Sequence, residues 1–501
     1  MRLHPRLAWV ILRDSKNTSE SADKVSIEQC SALGATILKS QVVYPDSAAY
    51  KISVGSYWAK NVQLEPTCIL QPRTAQEVSL AVSMLVAADV GCKFAVRGGG
   101  HTTWAGANNI VDGVTIDMLL MNATTYNKNA GTASILSGSR WGNVYKTLAK
   151  YNVTVAGGRS DVVGVAGFLL GGGNSYHTAR VGFGCDNVVN YEVVLANGNI
   201  IEANKDHHAD LFKALKGGSG NFGIVTKFDM KIIDDDKLWG GIVTYDNITT
   251  SQHLEAAHKF INNLENDPYA SWIGVWGYTS VTDQNIVFSA LEYTTPVAYP
   301  AAFDEFTAIA NTSSSMRVTN LWNLTQEVPQ PPGYRQIFVT ASFVNNLDVL
   351  KRTVDIHNRM IDEAKAGAKG DDYILSTVIQ PLPKLFSDHS TEQGGNMLGL
   401  SRFDENLFQL LIYCSWKDEA DDAFFNQLAD SALGELTTYS KSIGADNEFI
   451  YLNYANSNQN PLSSYGSENV EFIRTVAKKY DQTGVFQTQV PGGFKISAVA
   501  K

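Results

Sequence analysis

Three consecutive glycines followed by a histidine are the first residues in this chain whose types and spacing could do chemistry. The segment Val96-Arg97-Gly98-Gly99-Gly100-His101-Thr102-Thr103-Trp104-Ala105-Gly106 follows a strand-like run. Glycines at a strand end let the backbone take φ > 0 and come close to a bound group. Successive peptide N–H groups turned to one side form an anion nest suited to a diphosphate, and Arg97 is expected to add charge at its edge. The spacing is not that of a Rossmann turn, and no capped helix follows. A second cluster, Gly157 to Gly173 (GGRSDVVGVAGFLLGGG), sets many glycines among apolar residues. That texture suits a large flat ligand lying against bare backbone. Together the two segments point to a dinucleotide held by main-chain groups.

The elements that must position these loops can be read nearby. Apolar residues from Ala75 to Ala88 (AQEVSLAVSMLVAA) recur at helical spacing, and Lys93-Phe94-Ala95-Val96 then reads as a strand. Val114-Thr115-Ile116 and Tyr191 to Leu195 are further strands, the second turning at Asn197-Gly198. Asp210 to Leu215 reads as a short helix, and Ile224 to Phe228 as a strand. From about 240 to 440 the texture shifts to longer aromatic-rich strands, such as Ser271 to Trp276, and amphipathic helices, such as Val349 to Ala364. The expectation is a two-lobed α+β protein, with residues 1–240 as the first domain and 241–440 as a second built on a broad antiparallel sheet backed by helices. Residues 441–501 should pack back on the first.

Composition narrows the function classes. The chain has 501 residues, 44% of them hydrophobic and 18% charged, with net charge -10 and no run of Lys or Arg. A nucleic-acid partner is not expected, because such binding begins with a basic face. No apolar run approaches the roughly 20 residues of a membrane span. The stretch Leu7 to Leu12 after Arg2 and Arg6 is shorter than a secretory core of roughly 7–15 residues, so a trimmed leader and no leader both stand. Sequons occur at Asn17, Asn122, Asn152, Asn247, Asn311 and Asn323. Five scattered cysteines fit no zinc site, and no metal is expected. By composition alone they form either one disulfide with three buried thiols or five free thiols.

Both glycine clusters, with Gly182 to Asn199, Ala214 to Thr226, Tyr451-Leu452-Asn453-Tyr454 and Pro491-Gly492-Gly493-Phe494-Lys495, resemble the berberine bridge enzyme-like branch of the vanillyl-alcohol oxidase / p-cresol methylhydroxylase flavoproteins. The resemblance covers nearly the whole chain and is diffuse between 240 and 380. It implies a p-cresol methylhydroxylase-type fold, FAD as cofactor, and His101 as the residue bonded to the 8α-methyl of the isoalloxazine. The implied cofactor contacts are Arg97, Gly98, Gly99, Gly100, Thr102, Gly106, Ser160, Gly164, Gly167, Gly172, Val225 and Asn453. Ser160 stands where many relatives carry a second, cysteinyl tether, so a single bond is expected. Val163 matches a position governing oxygen access, and valine there implies an oxidase that releases hydrogen peroxide.

For the proton that leaves as hydride goes to flavin N5, the resemblance implies Tyr454 as base. An unperturbed phenol titrates near pH 10, so it needs a cationic or hydrogen-bonding neighbour. Read as a strand, Tyr451 and Tyr454 would face opposite sides. Gln409, on the strand-like Leu407 to Tyr413, falls where relatives carry a pocket Glu or Gln, and could only orient substrate. Gln380 is a lesser pocket candidate. By the same resemblance Cys30 and Cys68 pair, which implies folding in the secretory pathway or export from the cell, while Cys92, Cys185 and Cys414 are inert core thiols. The expected protein is a monomeric oxidase of a small organic molecule in secondary metabolism, using O2. A carbohydrate oxidase and a flavin-retaining cyclase with no net redox change are the alternatives.

Overall fold

A computed structural model of the chain describes residues 24–87, 92–328 and 331–500. The apolar stretch at Leu7 to Leu12, the sequon at Asn17 and the expected helix end at Ala88 lie outside the described residues.

The first sheet is small and mixed. Its strands are β1 (Val42–Val43), β2 (Cys68–Leu70), β3 (Phe94–Arg97) and β4 (Val114–Asp117), in the order β1-β2-β4-β3. Helix Ala75–Val86 covers it. The helix starts where Thr74 Oγ1 accepts from Glu77 N at 3.2 Å, while the Glu77 carboxylate accepts from Arg73 N at 2.6 Å. Its buried face is Val78, Ala81, Val82 and Leu85. A second, antiparallel sheet joins β5 (Thr124–Asn127), β6 (Thr132–Leu136), β8 (Val188–Val194), β9 (Ile200–Asn204) and β10 (Ile224–Lys231), with the short pair β7 (Val153–Thr154) and β11 (Ile233–Asp234) beside it. The β8–β9 hairpin turns at Asn197-Gly198, where Gly198 has φ +80.

The largest sheet is antiparallel. It contains β12 (Lys237–Asp246), β13 (Ala270–Thr279), β14 (Gln284–Tyr293), β15 (Ser313–Ser314), β16 (Arg317–Asn320), β17 (Arg335–Val344), β18 (Tyr373–Leu382), β19 (Leu407–Trp416) and β20 (Asp446–Asn447). Alternation along β18 turns Ser376, Val378 and Gln380 to one face and Leu375, Thr377 and Ile379 to the other. Thr377 Oγ1 there meets His357 of helix Leu347–Gly367 at 3.0 Å, so helices back that second face and the first is left for a ligand. The tail contacts the first sheet. Phe94 N donates to Gln489 O at 2.8 Å, and Val485, Phe486 and Val490 join the core around Phe94 and Ile116. The larger core runs without a break from Ile135 to Trp416 across residue 240.

Cys30 and Cys68 are disulfide-bonded across 38 positions, and Cys92, Cys185 and Cys414 are free and buried. A closed loop of that length stabilises by about 3–4 kcal/mol through the unfolded chain. Cys68→Ala is therefore expected to lower the free energy of unfolding by about that much, read from a denaturant midpoint. An unchanged midpoint would show that the bond does not constrain the unfolded state.

Candidate active site

A cavity of about 830 Å³ opens between the glycine loops and the uncovered face of the large sheet. Gly98 to Thr103 and Gly158 to Gly167 supply one wall. Val275, Phe288, Phe338, Val378, Leu411 and Tyr413 form the opposite one, and the turn at Tyr451 to Ala455 and the tail at Gly492 to Lys495 close the ends.

The two glycine loops touch through bare backbone. A Cβ on Gly99 would lie 2.4 Å from Gly164 Cα, and one on Gly164 would lie 2.5 Å from Gly99 Cα. Gly100 takes φ +68, the left-handed turn that glycine permits. Arg140 fixes the second loop by pairing with Gly164 in a β-bridge and donating to Val162 O at 2.6 Å.

His101 lines this cavity with its ring stacked on Trp58, centroids 4.1 Å apart and planes at 9°. Trp58 in turn meets Phe338 and Tyr413 of the opposite wall at 5.5 and 5.9 Å. Burial, reinforced by the nearby Arg140 guanidinium, pushes His101 down to about 3, so its imidazole is neutral. Its Nε2 is buried with no hydrogen-bond partner among the described residues, as are Ser160 Oγ and Ser137 Oγ.

Tyr454 meets the cation its chemistry demands: Arg159 Nη2 donates to its phenol oxygen at 2.9 Å. The expected strand at 451–454 is corrected, since Leu452–Tyr454 is one 3-10 turn closed by Tyr454 N donating to Tyr451 O at 3.0 Å. Both tyrosines therefore reach the cavity, with rings edge-on at 5.1 Å, but they differ in use. Tyr451 Oη accepts from Asn174 N at 2.8 Å, Asn453 Nδ2 at 3.1 Å and Gly173 N at 3.2 Å. Burial raises its phenol well above the ordinary value. Tyr451 is thus an anchor for the second glycine loop.

Of the residues singled out from sequence, Gly98 to Thr102, Ser160, Val163, Gly164, Gly167, Val225, Asn453 and Tyr454 line the cavity, as does Gln380. Four others, Arg97, Gly106, Gly172 and Gln409, do not line it. Arg97 follows Val96 on β3, and alternation sends it away from the cavity that Val96 lines. Its guanidinium is 1% exposed, donates to Ser53 O and Ser56 Oγ at 2.8 Å, pairs with Asp117 at 3.4 Å, and stacks 3.8 Å over the Tyr57 ring. Gly106 does not line the cavity, because its carbonyl backs onto Gly492. Gly172 sits behind Tyr451, against Leu398. Gln409 shares the cavity face of β19 with Leu411 but lies one rung further on, buried beside Gln380 and Ser342.

Sequence reasoning passed over Arg159, Trp58 and Lys495. Arg159 had a local signal, being a cation embedded between Gly158 and Ser160. Trp58 had none, standing 43 positions before His101.

The cavity fits a flavin dinucleotide: one long wall is unsubstituted backbone and the other is apolar. A family model described as "FAD binding domain" matches residues 66–204. The FAD-dependent monooxygenase sdcF of Emericella nidulans is 47% identical over 471 residues, covering 94% of this chain and 98% of the relative. This chain belongs to the berberine bridge enzyme-like family of FAD-linked oxidoreductases. Among solved structures, this flavoprotein is similar to CrmK, a flavoenzyme of a shunt-product recycling mechanism in caerulomycin biosynthesis. That match has TM-score 0.74 at 18% identity over 91% of this chain and 98% of that one. Glucooligosaccharide oxidase from Acremonium strictum, described with a 6-S-cysteinyl, 8α-N1-histidyl FAD, matches with TM-score 0.71 at 18% identity over 92% and 97%. The flavoprotein is an FAD-dependent enzyme of the p-cresol methylhydroxylase-type fold.

Proposed function

We propose that the protein is an oxidase of a small, largely apolar organic molecule, with FAD tethered through His101 alone and Tyr454 as the proton acceptor. The observation that carries this reading is one cavity with a neutral His101, its Nε2 without a hydrogen-bond partner, in one wall and the Arg159–Tyr454 pair in another. Bound FAD supplies the acceptor for two electrons, and the protein's part is orientation and proton handling. An imidazole with no proton on the attacking nitrogen and no competing hydrogen bond is the form able to make a covalent bond. Trp58 holds that ring in one plane. A single tether agrees with Ser160, and with the positions of Cys92, Cys185 and Cys414, none of which lines the cavity.

Arg159 donates a charge-assisted hydrogen bond to the Tyr454 oxygen, which fixes the phenol in the cavity wall. Tyr454 can then take a proton from a substrate O–H, N–H or phenol seated against the sheet. The apolar wall of Val275, Phe288 and Leu411 suits an aromatic or polyketide-like scaffold better than a sugar, which needs a hydrogen-bonding surface. Gln380 is placed to orient one polar group of such a scaffold, and Val163 beside Gly164 supports access for O2. The Cys30–Cys68 bond and the exposed sequons at Asn122, Asn152, Asn247, Asn311 and Asn323 support folding in the secretory pathway.

The decisive test is acid denaturation followed by a gel. The wild-type band is expected to fluoresce as flavin and the His101→Ala band to be dark. A yellow native protein whose denatured band is dark would keep FAD and sink the tether. The name of the Emericella nidulans relative, a monooxygenase, favours a second reading, in which an oxygen atom enters the product. Peroxide formed mole for mole with O2 consumed supports the oxidase, and heavy oxygen from labelled O2 in the product supports the other.

A further inference from the structure

The cavity carries a charge asymmetry that the tether and the proton acceptor do not explain. Among the described residues no Asp or Glu lines it, although the chain as a whole carries -10. Two cations do, Arg159 and Lys495. Arg159 is engaged by Tyr454. Lys495 Nζ has no hydrogen bond or ion pair among the described residues, and Arg97, the cation expected at the glycine loop, is spent on Asp117.

The backbone on both sides of Lys495 is fixed. Asn221 Nδ2 donates to Phe494 O at 3.0 Å, and Ile496 N donates to Asn221 Oδ1 at 3.0 Å. Asn221 stands between Gly220 and Gly223, both of which line the cavity. On its other side the tail packs on the continuation of the first glycine loop. The Phe494 ring meets Trp104 at 5.6 Å, and a Cβ on Gly492 would lie 2.1 Å from Gly106 O. A lysine is thus carried on a fixed segment that packs on the continuation of the first glycine loop and lines the same cavity as Gly98, Gly99 and Gly100, whose bare N–H groups suit an anion.

We propose that Lys495 is the cation that offsets the diphosphate of the cofactor. Burial holds the Lys495 ammonium down, to about 8, with Asp481 pulling the other way. An anion placed beside it favours the charged form further. The proposal rests on the reading of this cavity as the FAD site, and the test separates the two.

The probe pair is FAD and riboflavin, which share the ring system and differ by the adenylate and both phosphates. In the full chain carrying His101→Ala, so that flavin exchanges freely, Lys495→Met is expected to weaken FAD binding roughly tenfold to a hundredfold, the worth of one charge-assisted contact. Riboflavin binding should be unchanged, and Lys495→Arg should recover most of the FAD affinity. Equal losses for both flavins would make Lys495 a packing residue and overturn the proposal, as would no loss for either. FAD failing to bind the chain with Lys495 intact would overturn the cavity reading itself. Should His101→Ala not fold, the rate at which otherwise wild-type apoprotein acquires covalent flavin serves instead. Lys495→Met should raise the half-saturating FAD concentration and leave the maximal rate alone, and the reverse pattern would sink the idea.

Discussion

Tyr454→Phe is expected to lower kcat by roughly 10²- to 10⁴-fold, the usual worth of a positioned proton acceptor, while FAD content stays at the wild-type level. The ring contacts survive the change, since Phe338 at 5.9 Å and Tyr451 at 5.1 Å touch the ring and not its oxygen. What disappears is the acceptor of the Arg159 hydrogen bond at 2.9 Å. Arg159 is then left with its charge in a cavity that no carboxylate lines. The measurement is the anaerobic rate of flavin bleaching by substrate, which isolates the step before oxygen. A loss smaller than about tenfold would move the proton to another group and end the case for Tyr454 as base.

Gly164→Ala and Gly99→Ala are expected to empty the site from the opposite direction, by forcing the two glycine loops apart. Each new methyl would stand 2.4–2.5 Å from backbone of the facing loop, and no rotamer relieves a Cβ. Overpacking of this kind costs about 1–3 kcal/mol, and the relaxation that lowers the cost widens the gap against which the flavin must lie. Lower unfolding stability and little bound FAD are both expected, read by thermal unfolding and by the flavin-to-protein absorbance ratio. Gly167→Ala is the control. It stands inside helix Val165–Leu170 with no atom within 4 Å of its added Cβ, so any flavin lost there reports the ligand and not the fold. Wild-type flavin content in Gly99→Ala would show that the two loops do not need their contact.

The parts of this site legible in the sequence were those fixed by local chemistry. A strand ending in Gly98-Gly99-Gly100 needs no distant partner to be recognised, and neither does the Asn197-Gly198 hairpin. The long strands Ala270–Thr279 and Leu407–Trp416 and the helix Leu347–Gly367 were legible because burial on one face imposes its period on the residues. Direction was harder. Arg97 was read by its charge, but strand alternation and its rung partner Asp117 on β4 decide where it points. Tyr451 and Tyr454 were read as strand residues because two aromatics three apart fit either a strand or a tight turn, and only the Tyr454 N to Tyr451 O bond distinguishes them. The Arg159–Tyr454 bond spans 295 positions and the Trp58–His101 stack 43. No one-dimensional pattern announces such pairs, because both are made between loops and turns distant in the chain.

The distribution of charge around this cavity bears on traffic as well as on binding. Acidic groups outnumber basic ones over the whole chain, giving -10, yet among the described residues the charged side chains in the cavity wall are the cations Arg159 and Lys495. A negatively charged molecule approaching from bulk water is therefore repelled at long range and attracted only after entry. At physiological ionic strength the outer field decays within about 8 Å, which leaves the inner attraction in command. In dilute buffer the repulsion extends outward and slows the encounter of anions, while neutral molecules arrive at the same rate in both.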